Sequence, residues 1–351
     1  MSTNISVRLG ALVVVVAAGL AGTACGQTCR QVVVASNASD ELLAFDPDGS
    51  FAQMFAGGMA GNCYMTYGPD GNIYVSDTAT DAVHRFHGRT FASMGVFVPS
   101  GSAGLNDPQG LCFGPDGDLF VTSAGGDTPK VLRFNGTTGA FVSYFVAAGA
   151  PMPGGITFGS DGNLYYVCNT CQDVMRFNGQ TGVFIDLFVK SQQADSPKRP
   201  RGLVFGPDGH LYVTCASIDD CVRRYDGQTG VFMDFFAVGG LNDPLDLAFT
   251  PWGTLLVSGS LSNNVQEFDG VTGALIGTFA SPGEGGVGAP SGLLVLRAPA
   301  DMNADGFVNG DDYDAFAEFF DAGHAGADFN GDGFVNGDDY DAFAERFELG
   351  C

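Results

Sequence analysis

At 351 residues the chain exceeds the usual single-domain length, and one large domain plus a small one fits it; 53 glycines, 12% aromatic and only 15% charged residues describe a turn-rich, strand-rich protein rather than a disordered or helical one. A formal net charge of -24 argues against phosphate backbones and anionic lipid surfaces as partners, so no nucleic acid is expected, and cations, neutral ligands or proteins are. The charge is uneven: from Asp301 to Cys351 there are 14 acidic residues and 1 basic one, so the tail is the acidic element.

Residues 1–26 read as a signal peptide. Arg8 supplies a weakly positive start, and Leu9 to Leu20 form a Gly/Ala/Val/Leu run too short to span a bilayer comfortably. The small residues Ala24, Cys25 and Gly26 follow, which places cleavage near Gly26–Gln27; the rival is lipoprotein processing at Cys25, although Gly22 stands where such motifs usually carry leucine. Either way the expected location is secreted, extracellular or at the cell surface, with no transmembrane segment in the mature chain. Nine cysteines suit an oxidising compartment. Two pairs are local enough to be loop staples, Cys168 with Cys171 and Cys215 with Cys221. A metal or redox role for Cys168-x-x-Cys171 lacks a neighbouring Cys/His pair and a βαβ setting.

From residue 30 to 297 the chain repeats. Phe113 to Val121 (Phe-Gly-Pro-Asp-Gly-Asp-Leu-Phe-Val) recurs at Tyr67 to Val75, Phe158 to Tyr166, Phe205 to Val213 and Phe249 to Val257, and the turn glycines Gly71, Gly117, Gly162, Gly209 and Gly253 are spaced by 46, 45, 47 and 44 residues. That period is the size of a four-stranded propeller blade. In one copy the apolar runs place an inner strand at Gly155 to Phe158, a second at Leu164 to Val167, a third at Val174 to Phe177 and an outer strand at Val183 to Phe188, with Asn178-Gly179 supplying the positive φ of a tight turn. Val32 to Phe55 contains second, third and outer strands without an inner one, whereas Ser291 to Val295 is an inner strand with nothing after it. Joined, they complete a sixth blade and cover two open edges. The expected fold class is mainly β: a six-bladed propeller whose termini close one blade, followed by a small helical calcium-binding domain.

The repeated Gly-Pro-Asp-Gly-x-Leu-Tyr-Val pattern, over about Gln31 to Arg297, resembles the propellers of NHL-repeat proteins, gluconolactonase-like hydrolases and streptogramin lyases. That resemblance implies the fold; its members include enzymes, receptors and scaffolds.

Residues 298–351 form the second domain. Asp301-Met302-Asn303-Ala304-Asp305-Gly306-Phe307-Val308-Asn309-Gly310-Asp311-Asp312 and Asp328 to Asp339 are near-identical loops. Both place oxygen-bearing side chains at positions 1, 3, 5, 9 and 12 and glycine at 6, the arrangement that wraps oxygen ligands around calcium. The ligand sets are Asp301, Asn303, Asp305, Phe307, Asn309 and Asp312, and Asp328, Asn330, Asp332, Phe334, Asn336 and Asp339, with each phenylalanine contributing its backbone carbonyl. Two calcium ions are the expected cofactors. A helix follows each loop: Tyr313, Phe316, Ala317 and Phe320, then Tyr340, Phe343, Ala344 and Phe347, fall at i, i+3, i+4 and i+7. A loop-plus-helix unit repeated twice resembles type I dockerins, which implies a cohesin-like or other extracellular protein partner and a link to polysaccharide degradation. Gly310-Asp311 and Gly337-Asp338 stand where cellulosomal dockerins often carry hydroxyls, which points away from a cohesin of the usual specificity.

The ligand face of such a propeller is built by loops entering the inner strands and loops joining second to third strands. Candidates there are Asp107, Arg201, Asp243 and Asp246; Asp246 holds the inner-strand position taken elsewhere by Gly110, Gly155, Gly202 and Gly292, where it either lines the channel or caps backbone. The resemblance would imply a channel metal held by a glutamate, or a histidine acid/base. Glu41, Glu267 and Glu284 lie off the inner strands, and His84, His87 and His210 do not form a set. The sequence therefore reads as a secreted non-catalytic binding or scaffold propeller whose ligand is unknown. The alternative is a secreted hydrolase or lyase acting on polysaccharide or lactone in the channel.

Overall fold

The computed structural model describes residues 31–59, 61–126, 129–146, 151–191, 196–216, 220–302, 308–330 and 334–348. The signal segment, Cys25, Asn303, Asp305, Phe307 and Asp332 lie outside the described residues.

Six four-stranded antiparallel sheets form the propeller. Blade 1 joins Pro290–Val295 as inner strand to Val32–Ser36, Glu41–Phe45 and Phe51–Gly57. Blades 2 to 6 are continuous, with inner strands Cys63–Tyr67, Pro108–Phe113, Pro153–Phe158, Pro200–Phe205 and Pro244–Phe249. Closure of the ring by both ends of the repeat region is as expected: Val32 pairs with Val295 and Val34 with Leu293. In blade 4 the inner strand begins at Pro153, because Pro153 pairs with Cys168 beyond a register shift that ends at Ile156.

The repeated sequence has a packing reason. The aromatic residue of each second strand in blades 2 to 5 lies between its own outer strand and the next blade: Tyr74 meets Phe97 at 4.8 Å and Phe113 at 4.9 Å, and Tyr212 meets Phe236 at 4.8 Å and Phe249 at 4.9 Å. Such edge-to-face pairs add about 1 kcal/mol each beyond their burial. Two residues further along the second strand, blades 2, 3, 5 and 6 carry hydroxyls that bridge to the next blade. Ser76 Oγ donates to the Gln109 carbonyl (2.7 Å), Thr122 Oγ1 to that of Gly154 (2.9 Å), Thr214 Oγ1 to that of Leu245 (3.0 Å) and Ser258 Oγ to that of Ser291 (3.0 Å). The ring is therefore held by side chains that satisfy the inner-strand backbone of the neighbouring blade.

The Cys168–Cys171 disulfide is present. Cys215 and Cys221 are not joined, a correction to the sequence expectation. They are direct cross-strand partners with hydrogen-bonded thiols. Opposed residues on neighbouring strands hold their Cβ atoms about 4.5–5.5 Å apart, whereas a disulfide needs about 3.8 Å.

After the closing strand the chain runs along the seam between blades 1 and 2. Arg297 N–H donates to the Tyr67 hydroxyl at 3.3 Å, and Ala298 and Ala300 are buried. Helices α1 (Gly310–Asp321) and α2 (Gly337–Glu348) follow, packed through Phe316 and Phe343, whose rings stack at 4.0 Å, with Tyr313 and Tyr340 sharing a hydroxyl hydrogen bond of 2.8 Å. No described helix is long and apolar enough to cross a membrane.

Candidate functional site

The acidic loops at the channel mouth are largely engaged in joining blades. Asp107, Arg199 and Asp243 precede the inner-strand prolines with φ of 48°, 46° and 54°. The N–H of Asp107 donates to Asp81 Oδ1 (2.6 Å), and that of Asp243 to Asp220 Oδ1 (3.1 Å). Asn263 takes the same part in the next blade by accepting from Ala289 N–H at 2.8 Å. Asp107 also accepts from Gln109 Nε2 (2.8 Å), and Asp243 lies 3.8 Å from the Arg199 guanidinium. With its amide oxygen turned to the guanidinium, Asn169 accepts from Arg201 Nη1 at 2.6 Å.

The inner strands approach one another through the glycine positions noted in the sequence. A Cβ on Gly155 would meet the Arg201 carbonyl at 2.8 Å, and one on Gly292 would meet that of Cys63 at 2.3 Å. Two blades carry side chains at this level, Asp246 and Tyr64. Asp246 Oδ1 accepts from Leu247 N–H and Oδ2 from Leu293 N–H of the next blade, both at 2.9 Å, so the capping reading of this residue describes it. Burial pushes its carboxyl up to about 6, against the opposing pull of the two N–H groups. Tyr64 is 6% exposed, and its phenol is raised above the usual range first by burial and then by Asp246; Arg201 opposes, and Asp107 and Asp243 add to the rise. The four residues singled out in the sequence thus converge electrostatically on Tyr64. That residue escaped notice because Cys63-Tyr64-Met65 lacks the proline that opens the inner strand of the other blades, although it occupies the same position as Asp246.

The histidines supply no catalytic grouping among the described residues. His84 Nε2 is 3.3 Å from Thr80 Oγ1 and 3.7 Å from Asp77 Oδ2. Both contacts use one ring nitrogen, so Asp77 cannot orient the imidazole from the opposite side as a hydrolytic triad requires.

The tail offers a different chemistry. Asn309 caps α1 by accepting from Asp311 N–H, and Asp312 Oδ2 reaches back to Asn309 N–H at 2.9 Å, a capping box. The second repeat copies it: Asp338 N–H donates to Asn336 Oδ1 at 2.7 Å, and Asp339 accepts from Asn336 N–H (2.9 Å) and Asn330 N–H (3.0 Å). Asp312 and Asp339 are both 0% exposed, and Asp301 is buried too. Each carboxylate oxygen can accept more than one partner, so these groups retain capacity for a cation. An all-oxygen donor set suits a hard divalent ion, and Phe334, at the position that would offer only its carbonyl, turns a 72% exposed side chain to solvent. Among the described residues no three His, Cys, Asp or Glu groups cluster closely enough to hold a metal. Asp305 and Asp332, the fifth positions of the loops, are outside that set.

The tail is anchored on blade 2. Arg89 Nη2 lies 3.4 Å from Met302 Sδ, and its guanidinium sits 4.3 Å above the Phe329 ring. Burial lowers Arg89 to about 10, while Asp328, Tyr67 and Asp339 pull it back, so it stays charged at neutral pH.

No protein-family model and no curated protein sequence matches the chain. Solved structures do. The nidogen/laminin complex matches with 15% identity over 77% of this chain and 99% of that one, at a TM-score of 0.60. A protein of unknown function from Bacteroides caccae matches with 15% identity over 76% and 99%, at 0.58. Virginiamycin B lyase from Staphylococcus aureus, inactivated and bound to quinupristin, matches with 15% identity over 72% and 85%, at 0.52. The shared feature is the six-bladed β-propeller. At such identities the likeness carries fold alone, and the propeller's chemistry rests on its own residues.

Proposed function

We propose that the protein is an exported, non-catalytic binding or scaffold propeller that carries a calcium-dependent, dockerin-like interaction module, with a role beside extracellular polysaccharide degradation. The observation that carries this reading is the pair Asp312 and Asp339, wholly buried carboxylates at equivalent points of two loops that share one aromatic core. Burying a carboxylate costs several kcal/mol unless hydrogen bonds and an opposite charge compensate it; a calcium ion in each loop supplies that charge. The Cys168–Cys171 disulfide is compatible with an oxidising, extracellular setting.

Asp246 favours the second reading, a hydrolase or lyase, since a carboxyl held near 6 suits proton transfer. Both of its oxygens are tied to backbone N–H groups, however, and no base or nucleophile among the described residues stands with it in a recognisable catalytic set, so the binding reading is preferred. The test is calcium titration of the full chain by calorimetry. Two sites are expected, and both are lost in the combined Asp312→Ala and Asp339→Ala variant. Absence of binding at millimolar calcium, or unchanged binding in that variant, refutes the calcium module.

A further inference from the structure

Four blades share one turn between the third and outer strands: Asn135 to Gly139, Asn178 to Gly182, Asp226 to Gly230 and Asp269 to Gly273. Each has Asn or Asp first, Thr fourth and glycine fifth, and the glycines sit at φ 70°, 69°, 70° and 72°. The first side chain caps the turn, as where Asn135 Oδ1 accepts from Thr138 N–H at 2.9 Å. Blade 2 departs from this pattern in the turn that touches the tail.

There, His87 takes the capping place, its Nδ1 accepting from the N–H groups of Arg89 and Thr90, each at 3.2 Å. Phe91 replaces the glycine at φ 58°, a backbone region that costs a bulky residue energy and persists only where the surroundings hold it. The holding contact is visible: Phe91 is 8% exposed and stacks on Phe55 of blade 1 at 4.6 Å. Arg89, between the two, projects onto the second residue of each tail loop, Met302 and Phe329. The same third turn position holds Thr137, Gln180, Gln228 and Val271 in the sister turns, none of them charged.

We propose that turn 87–91 is a receptor for the tail and that Arg89 sets calcium binding at the second loop against docking of the tail. The proposal rests on the calcium reading above. The Arg89 guanidinium lies over Phe329, the neighbour of Asp328, and Asp328 and Asp339 are the first and last ligand positions of that loop. Without the ion the loop attracts Arg89 through Asp328 and Asp339. A bound divalent cation offsets both charges and repels the guanidinium directly. Docking therefore lowers the second loop's calcium affinity, and calcium loosens docking by the same factor.

The experiment uses the full chain carrying Asp301→Ala to silence the first loop, so that calcium titration reports the second. Arg89→Met, which keeps the apolar stem and removes the charge, is expected to tighten calcium binding about fivefold, the lower end of ordinary coupling. Arg89→Lys should stay near the parent. In the protein with Arg89 intact, calcium should speed hydrogen exchange of the amides in turn 87–91. Unchanged or weaker affinity in Arg89→Met, or exchange in the turn that slows or stays constant with calcium, overturns the proposal. If Arg89→Met does not fold, the exchange experiment decides alone. Failure of the chain with both loops intact to bind calcium at all refutes the calcium reading itself, a separate outcome.

Discussion

Replacing Asp246 with asparagine tests whether the channel carboxylate is a buried cap. Its carboxyl is raised from 3.8 to about 6, so between those values the folded state holds a proton that the unfolded chain has released. Stability from this group is therefore greatest below pH 3.8, falls as pH rises, and is fully lost above about 6. A rise of that size corresponds to about 3 kcal/mol, an upper bound because the side chain keeps some contact with solvent. Asparagine does not titrate. It does turn an N–H toward one of the two N–H groups Asp246 accepts from, a loss of about 1–2 kcal/mol that does not vary with pH. Urea denaturation with chelator, at pH 4 and pH 7.5, should show Asp246→Asn the less stable protein at pH 4 and equal to or more stable than wild type at pH 7.5. Taking the difference between the two proteins removes every other titrating group they share. If that difference moves by less than about 0.5 kcal/mol between the two pH values, burial of the carboxylate is not what the structure describes.

Two further outcomes follow from the ring. Ending the chain before Pro290 removes the inner strand of blade 1 and exposes Val32, Val33 and Val34; loss of a single cooperative thermal transition is expected, and an unchanged melting curve would show that closure contributes nothing. Burial also raises the Cys215 thiol well above its ordinary range, so this residue and its partner Cys221 should resist alkylation at pH 8 in the native protein and react after denaturation; rapid native labelling contradicts that packing.

Much of the fold was legible because the same local chemistry recurs. Gly-Pro-Asp-Gly marks a turn by its own backbone requirements, and the aromatic residue three places beyond the turn glycine is the one that packs between blades, so period and architecture are written in the same residues. Asp246 was legible as an interruption of a glycine series. Tyr64 occupies that series too, but its blade enters the inner strand without proline, and the alignment that reveals it needs the strand register. Cys215 and Cys221 bracket a turn in sequence, which says nothing about the separation of their Cβ atoms. Arg89 was hidden for a different reason: its partners lie more than two hundred residues away, and only the departure of His87-Gly88-Arg89-Thr90-Phe91 from its sister turns marked the place.

The path of the chain after Val295 gives the acidic tail a mechanical place as well as a chemical one. The ring is fastened by contacts such as that of Gly288 with Ser36, 252 residues apart, the kind of pairing that forms late in folding. The segment that leaves this fastening crosses to Tyr67 of blade 2 and ends under Arg89. It thus lies over the join like a clasp over a buckle, and force applied to the tail would reach the propeller first at the seam where its two ends meet.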